Sequence, residues 1–257
     1  RFPVVHEDIF STYGGSSFNK LLFSFCLLFF FVVETINIKL FSSKISFPWG
    51  KKYKNSRNAG HKAGVNTVEI VMNESIKKKI QYLTLYAFST ENWKRPKKEI
   101  TFLFTLLENF LIKKIDQLIK GGIKIRFIGN LKILPKTLQK TMKMAEKKTS
   151  INNKLEVNIA LNYGSKSEII NAIKVINKNQ KKITEKNIED NLYTKNIPNP
   201  DILIRTGNTQ RLSNFLLWQL AYSEIFFIKK LWPSFKKKDY IKILNKFKSL
   251  KRNFGAI

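Results

Sequence analysis

Residues 82–128 read YLTLYAFSTENWKRPKKEITFLFTLLENFLIKKIDQLIKGGIKIRFI, and this stretch decides the fold. Its first part, Tyr82–Phe88, is a short apolar run typical of a buried strand. Lys97–Lys120 has apolar residues at the three- and four-residue spacing of an amphipathic helix, and a glycine pair follows it as a stop signal. Ile123–Ile128 is again a strand pattern. A strand, a long helix and a second strand predict a crossover between parallel strands.

The same alternation continues on both sides of this stretch. The predicted helices are Val65–Ile80, Pro135–Thr149, Ser167–Asn177, Thr184–Leu192, Asn214–Tyr222 and Lys236–Lys251, and the further predicted strands are Leu155–Leu161, Ile202–Ile204 and Ile225–Ile228. Strands separated by helices predict an α/β fold, a single domain with a mostly parallel central sheet flanked by helices.

The composition narrows the function classes. The chain has 257 residues, 43% hydrophobic and 25% charged, so global disorder is excluded. One cysteine and two histidines exclude a disulfide framework and a Cys/His zinc centre, so a metal here would be a hard, oxygen-bound ion such as Mg²⁺. A net charge of +29 indicates polyanionic partners, namely nucleic acid, an anionic lipid surface or phosphorylated substrates. The lysines are dispersed over helix faces and no nucleic-acid reading motif occurs, so no nucleic acid is expected.

The N-terminal fifth differs from the rest in composition. Residues 1–50 have four basic and three acidic side chains but 10 of the 21 phenylalanines. We therefore expect an atypical apolar segment over residues 1–48 and a separate domain over residues 49–257. The uncharged run Leu21–Val33 has thirteen residues, fewer than the roughly 20 of a spanning helix, and three interpretations stay open: a membrane-associating segment, a buried element, or a segment foreign to the domain through a frameshift or a misjoined reading frame. The first residue, Arg1, suits a fragment or a processed product.

Polar side chains follow several predicted strands directly, where ligands bind in open parallel sheets. Ser89–Arg95 follows one strand, Asn162–Gly164 another, and Arg205, Arg211 and Ser213 a third. Guanidinium groups bind phosphate oxygens in a bidentate manner, and hydroxyls and glycine amides complete such a site.

A second anion site is expected at the start of the first predicted helix. Gly60–Gly64 (GHKAG) precedes that helix, whose first backbone N–H groups favour an anion, and His61 and Arg57 would add donors.

These motifs resemble the cis-prenyltransferase family, and most closely the bacterial undecaprenyl diphosphate synthase type. The resemblance covers about Trp49 to Gly255. It rests on the segments Gly60–Gly64, Leu83–Pro96 (LTLYAFSTENWKRP), Arg126–Gly129, Asn158–Gly164 (NIALNYG), Pro200–Trp218 (PDILIRTGNTQRLSNFLLW), Gln219–Glu224 (QLAYSE) and Leu231–Pro233.

The resemblance implies a homodimeric prenyltransferase of isoprenoid biosynthesis that uses Mg²⁺. Such an enzyme condenses isopentenyl diphosphate with an allylic diphosphate of the farnesyl type to a long-chain cis-polyprenyl diphosphate, a lipid carrier for the cell wall. The product would lie in a hydrophobic tunnel beside the sheet, with Phe102 and Leu106 of the long helix in its wall, although ordinary core packing explains the same apolar face. The expected location is the cytoplasm, with peripheral contact at the inner face of the membrane.

The resemblance also implies roles for individual residues. His61 and Arg57 would hold the allylic diphosphate, with Trp49 in the same region. The residues between the two substrates would be Ser89, Thr90, Glu91, Trp93 and Arg95; Arg205, Arg211 and Ser213 would bind isopentenyl diphosphate; and Glu224 would be a Mg²⁺ ligand that reaches across the dimer. Asn92 has the position assigned as the proton acceptor, but a neutral amide has almost no basicity near pH 7, so we expect it to position the substrate while a diphosphate oxygen takes the proton.

One motif departs from the family. The family's first motif has the form Met-Asp-Gly-Asn-Gly-Arg-Trp, whereas residues 43–49 read SKISFPW, with Lys44 in the position of the metal-binding aspartate. An ammonium there would repel Mg²⁺, and Phe47 and Pro48 deny the close approach that glycines give to phosphate. We therefore expect weak or no activity. The alternative is a non-catalytic partner subunit that binds diphosphates.

Overall fold

The computed structural model describes residues 37–41 and 57–252, with side chains for residues 58–252. The strands are β1 Asn37–Phe41, β2 Tyr82–Ser89, β3 Ile123–Ile128, β4 Leu155–Tyr163, β5 Ile202–Thr206 and β6 Glu224–Ile228. The α-helices are α1 Arg57–Lys77, α2 Lys97–Lys120, α3 Lys136–Thr149, α4 Ser165–Lys178, α5 Glu185–Glu189 and α6 Lys237–Lys248. Short 3₁₀ helices cover Thr90–Lys94, Leu131–Ile133 and Trp232–Ser234.

The six strands of the described chain form one sheet in the order β3-β4-β2-β1-β5-β6, and every pair is parallel. The expected α/β fold is therefore confirmed. Because all strands run the same way, the chain segments that follow them emerge at one edge. That edge is called the carboxyl edge below.

The central strand β1 was not predicted. It lies in the stretch assigned to the atypical N-terminal segment, yet it pairs with β2 on one side and β5 on the other. Its last residue, Phe41, is in register with Tyr86 of β2 and Arg205 of β5, so the chain that follows β1 also leaves at the carboxyl edge. The domain boundary near residue 49 stays a prediction. Leu21–Val33, Lys44 and Trp49 lie outside the described residues.

Both faces of the sheet are covered. On one face, α1, α2, α3 and α6 bury a large core that includes Leu83, Leu111 and Ile159. On the other face, Tyr86 and Tyr163 pack with Phe215 from the chain after β5. Each fully buried side chain of this size contributes roughly 1.5–3 kcal/mol relative to exposure, so both layers stabilise the sheet.

Helix α2 and most strands lie where the apolar periodicity predicts them, within one or two residues. Helix α1 is longer than predicted and begins at Arg57. Its two glycines, Gly60 and Gly64, are buried within the helix. Gly64 is buried and its carbonyl oxygen accepts a hydrogen bond of 2.9 Å from the indole Nε1 of Trp232. The Gly60–Gly64 motif therefore lies inside the helix, and the prediction that it forms the helix start is wrong.

The prediction of a helix over Asn214–Tyr222 is also wrong. This segment forms turns, because Ser213, Asn214 and Leu216 adopt left-handed backbone conformations with φ of 50°, 60° and 50°. An α-helix cannot contain such residues. Two of the apolar residues that suggested a helix, Phe215 and Leu216, are fully buried and instead anchor this segment to the core.

Gly129 offers a test of the packing at the carboxyl edge. It has φ 127°, and a Cβ atom there would lie 2.0 Å from the carbonyl oxygen of Leu161. We expect Gly129→Ala to lower the free energy of unfolding by about 3 kcal/mol, because both the backbone conformation and the contact are forbidden to alanine. Urea unfolding of the full chain measures this. The matched control is Gly121→Ala, where φ is −72° and the nearest contact is 3.1 Å, so a change within about 1 kcal/mol is expected. Equal losses in the two variants would contradict the explanation.

Candidate diphosphate site

The carboxyl edge carries a buried guanidinium. Arg205, near the end of β5, is only 3% exposed, and its Nη1 donates a hydrogen bond of 3.2 Å to Oγ of Ser213. Burial, and then the nearby charge of Arg211, lower the pKa of Arg205 to about 10, so it is still a cation at neutral pH. Two positive groups and a hydroxyl thus converge, and an anion bound between them would relieve both the burial and the repulsion. The structure brings Arg205, Arg211 and Ser213 together, and their role in binding diphosphate stays a prediction.

A second polar cluster lies where α1 meets the start of α2. Arg95 Nη1 donates to Oε1 of Glu99 at 2.9 Å, and Nε2 of His61 lies 3.4 Å from the same oxygen. Glu99 is 8% exposed and His61 is 6% exposed, so this carboxylate orients both cationic or donor groups in a buried setting. Sequence reasoning singled out His61 and Arg95 but missed Glu99. The spacing of four residues between Arg95 and Glu99 is the signal that could have found it.

The 3₁₀ helix Thr90–Lys94 connects the two clusters. Asn92 is 2% exposed, and its Oδ1 accepts a hydrogen bond of 3.2 Å from the backbone N–H of Ser89. Ser89 is also buried, so the turn after β2 is fixed by its own side chains. A carboxamide that is fixed in this way is suited to positioning a substrate.

Trp93 is fixed by the next strand. Its indole Nε1 donates to Oδ1 of Asn162 at 2.8 Å, and Nδ2 of Asn162 donates to the carbonyl oxygen of Asn130 at 2.7 Å. The indole ring also contacts Phe88 and Phe104, with centroid distances of 5.4 and 5.8 Å. Asn162, which adopts φ 45°, therefore ties Trp93 to the ends of β3 and β4.

Glu91 is linked to the segment after β5. Nδ2 of Asn214 donates to Oε1 of Glu91 at 2.9 Å. Burial alone would raise the pKa of Glu91, but this hydrogen bond and others from its own turn hold the pKa below the ordinary value. The carboxylate is therefore charged at neutral pH.

Gly164 is where three segments meet. A Cβ atom there would lie 2.6 Å from Oγ1 of Thr90 and 2.7 Å from Nδ2 of Asn214. The missing side chain thus lets the turn after β2, the end of β4 and the segment after β5 approach each other. Asn214 belonged to a predicted helix, and its role at this meeting point was missed.

An apolar cavity of about 150 Å³ lies beside these groups, between α1, α2, β2 and β4. His61 is part of its lining, together with Leu85, Leu107 and Phe110. Leu106 lines it, whereas Phe102, the other residue expected in a tunnel wall, is not among its lining residues, and Ile115 of the same helix belongs to the core. The tunnel for a long product stays a prediction.

Glu224 lies away from this site within its own chain. It is the first residue of β6 and is in register with Ile202, three positions before Arg205 on β5, which is about 10 Å along the strand. Its Oε1 lies 3.9 Å from Nε of Arg252. Among the residues that the structure describes, no three His, Cys, Asp or Glu side chains are grouped to hold a metal ion.

Two further expectations concern the beginning of the site. Arg57 is the first residue of α1, one turn before His61, but its side chain lies outside what the structure describes. Trp49 lies outside it as well, so their roles stay predictions.

Comparison with known proteins agrees with this geometry. Residues 48–255 match the family model described as putative undecaprenyl diphosphate synthase. The isoprenyl transferase of Clostridium tetani is 43% identical over 81% of this chain and 85% of its own length, and that of Rickettsia bellii is 44% identical over 80% and 92%.

Two solved structures are also similar. A probable undecaprenyl diphosphate synthase from Campylobacter jejuni has a TM-score of 0.73 at 34% identity. Lavandulyl diphosphate synthase from Lavandula x intermedia, in complex with dimethylallyl diphosphate, has a TM-score of 0.81 at 31% identity. Each comparison covers 86% of this chain and 99% of the other. The match over four-fifths of the sequence, on a similar fold, establishes that the chain belongs to the undecaprenyl diphosphate synthase family of prenyltransferases.

Proposed function

We propose that this chain binds two diphosphates at the carboxyl edge and that its scaffold is built for prenyl chain elongation. Isopentenyl diphosphate would occupy the cluster of Arg205, Arg211 and Ser213. The observation that carries this proposal is the almost complete burial of Arg205 beside a second guanidinium. A diphosphate supplies the two or more oxygens that guanidinium groups bind well.

The allylic diphosphate would bind on the other side of Thr90–Lys94, near His61 and Arg57. His61 lines the apolar cavity and also faces Glu99, so it lies where a charged head and a hydrocarbon tail would meet. In the reaction, a carbon–carbon bond forms between the two substrates, the allylic carbon loses its diphosphate and the isopentenyl unit loses a proton. The role of this chain's residues is to hold both head groups in place and to keep water from the reacting carbons.

A bound Mg²⁺ would supply positive charge for the leaving diphosphate, and among the described residues no three His, Cys, Asp or Glu side chains are grouped to hold it. Glu224 would contribute only from a second protomer, in the homodimer that the resemblance implies. Lys44 stands where the family has the metal-binding aspartate. We therefore propose that the polypeptide with this sequence binds diphosphates and turns over weakly or not at all. The second candidate function, a non-catalytic partner subunit, follows from the same lysine.

None of the helices among residues 57–252 combines the length and apolar character needed to cross a bilayer. We propose a cytoplasmic protein whose basic surface makes peripheral contact with an anionic membrane, where a polyprenyl product would be released.

Replacing Arg211 removes one of the two guanidinium groups and tests pyrophosphate binding and folding stability separately. In Arg211→Gln, we expect the affinity for inorganic pyrophosphate to fall at least about tenfold, because a charge-assisted contact is lost. Without ligand, the unfolding midpoint should stay equal or rise, because the repulsion on Arg205 is removed. Isothermal titration calorimetry and thermal unfolding at pH 7.5 measure the two effects. The control Lys132→Gln removes one charge from an exposed position near β3 and should change neither quantity. Unchanged pyrophosphate affinity in Arg211→Gln would contradict the proposed site.

Restoring the first motif tests the activity. The restored chain has the six substitutions S43M, K44D, I45G, S46N, F47G and P48R, and the control has the same changes except K44D. With farnesyl diphosphate, isopentenyl diphosphate and Mg²⁺, we expect the restored chain to turn over at least about a hundred times faster than both the natural sequence and the control, because metal-assisted departure of diphosphate contributes several kcal/mol. Ordinary turnover by the natural sequence would refute the proposed impairment.

A further inference from the structure

The segment after β5 holds two proposed diphosphate ligands, Arg211 and Ser213, yet it has no regular secondary structure. Four of its residues have left-handed backbone conformations, and two of these, Ser213 and Leu216, are of types that rarely adopt them. Something must therefore hold this segment in place for Ser213 to meet Arg205.

Asn214 is the residue that does so on the polar side. Its Oδ1 accepts a hydrogen bond of 2.8 Å from the backbone N–H of Lys166, and its own carbonyl oxygen accepts one of 2.8 Å from the N–H of Ser165. Both N–H groups belong to the first turn of α4, where a helix has no partners of its own for them. Asn214 is therefore bound to the start of a regular helix through side chain and backbone together.

The same side chain reaches a third segment. Its Nδ2 donates to Oε1 of Glu91 at 2.9 Å, and Glu91 lies in the 3₁₀ helix that contains Asn92 and Trp93. One carboxamide thus joins the segment with Arg211 and Ser213 to the segment between the two proposed substrate positions. The tight approach at Gly164, described above, leaves this carboxamide little room to move.

We propose that Asn214 is a positioning residue that sets the distance between the two diphosphate positions. It acts through Ser213 on one side and Glu91 on the other and does not itself contact substrate. This inference rests on the proposed function, since it concerns how the same site is held ready for its ligand.

The decisive variant is Asn214→Gly, which removes the side chain but still permits the left-handed backbone. Its matched control is Asn208→Gly in the same segment, because Asn208 is exposed and also left-handed, with φ 53°. Each full-length protein is titrated with inorganic pyrophosphate in a calorimeter. We expect about tenfold weaker binding in Asn214→Gly, the loss expected for hydrogen bonds that include one to a charged group. Asn208→Gly should bind like the natural sequence.

Two further variants separate positioning from general destabilisation. Asn214→Asp keeps the acceptor for the N–H of Lys166 but sets a carboxylate against the charged carboxylate of Glu91, so its affinity should fall at least as far as that of Asn214→Gly. Glu91→Ala should weaken binding as well, and adding it to Asn214→Gly should cause much less than the product of the two separate losses. If Asn214→Gly folds poorly, the positioning role is tested instead by comparing the pyrophosphate affinities of Asn214→Asp and Glu91→Ala with that of the natural sequence.

The outcomes distinguish this inference from the proposed function. Equal affinity in Asn214→Gly and Asn208→Gly, with binding lost in Arg211→Gln, would overturn the positioning role and leave the diphosphate site in place. Independent, multiplicative losses in Asn214→Gly and Glu91→Ala would overturn the link between the two segments. If the natural sequence does not bind pyrophosphate, or Arg211→Gln binds it equally well, the proposed function fails and the inference fails with it.

Discussion

The burial of the Arg205 guanidinium near the end of β5, with Arg211 nearby, is the constraint on which the proposed site depends. Folding places this guanidinium almost wholly out of water and brings a second positive charge near it, and both effects lower the pKa of Arg205. A buried guanidinium with a shifted pKa indicates a functional site more strongly than a surface arginine would.

The surrounding structure holds these charges together. On the apolar side, Phe215 stacks on Tyr86 with a centroid distance of 4.2 Å and an interplanar angle of 8°, and the hydroxyl of Tyr86 donates to the carbonyl oxygen of Tyr163 at 2.9 Å. On the polar side, Asn214 joins the same segment to helix α4 and to Glu91. The parallel sheet supplies the common edge, and these two anchors determine how the irregular segment after β5 lies on it. The apolar cavity beside His61 lies next to the polar cluster of Arg95 and Glu99.

The sequence predicted the structure best where one local rule determines the conformation of the chain. Apolar periodicity placed α2 and the strands, and polar residues at strand ends identified the carboxyl edge, because all strands are parallel. It was misleading where packing overrides a local rule. The glycines of Gly60–Gly64 read as a helix start but lie within α1 against Trp232, and the apolar run after Asn214 read as a helix but is held in turns. Asn214 was missed because its importance lies in contacts between segments that are distant in sequence, which no local pattern reveals, whereas Glu99 had a local signal in its four-residue spacing from Arg95. The strand β1 was missed because its neighbours in composition suggested a foreign segment.

A crystal structure of the full-length protein soaked with isopentenyl diphosphate tests the central claim most directly. The account predicts density for the diphosphate between Arg205 and Arg211, with Oγ of Ser213 within hydrogen-bonding distance of a phosphate oxygen. A diphosphate bound elsewhere on the basic surface, with the two guanidinium groups unchanged, would contradict it.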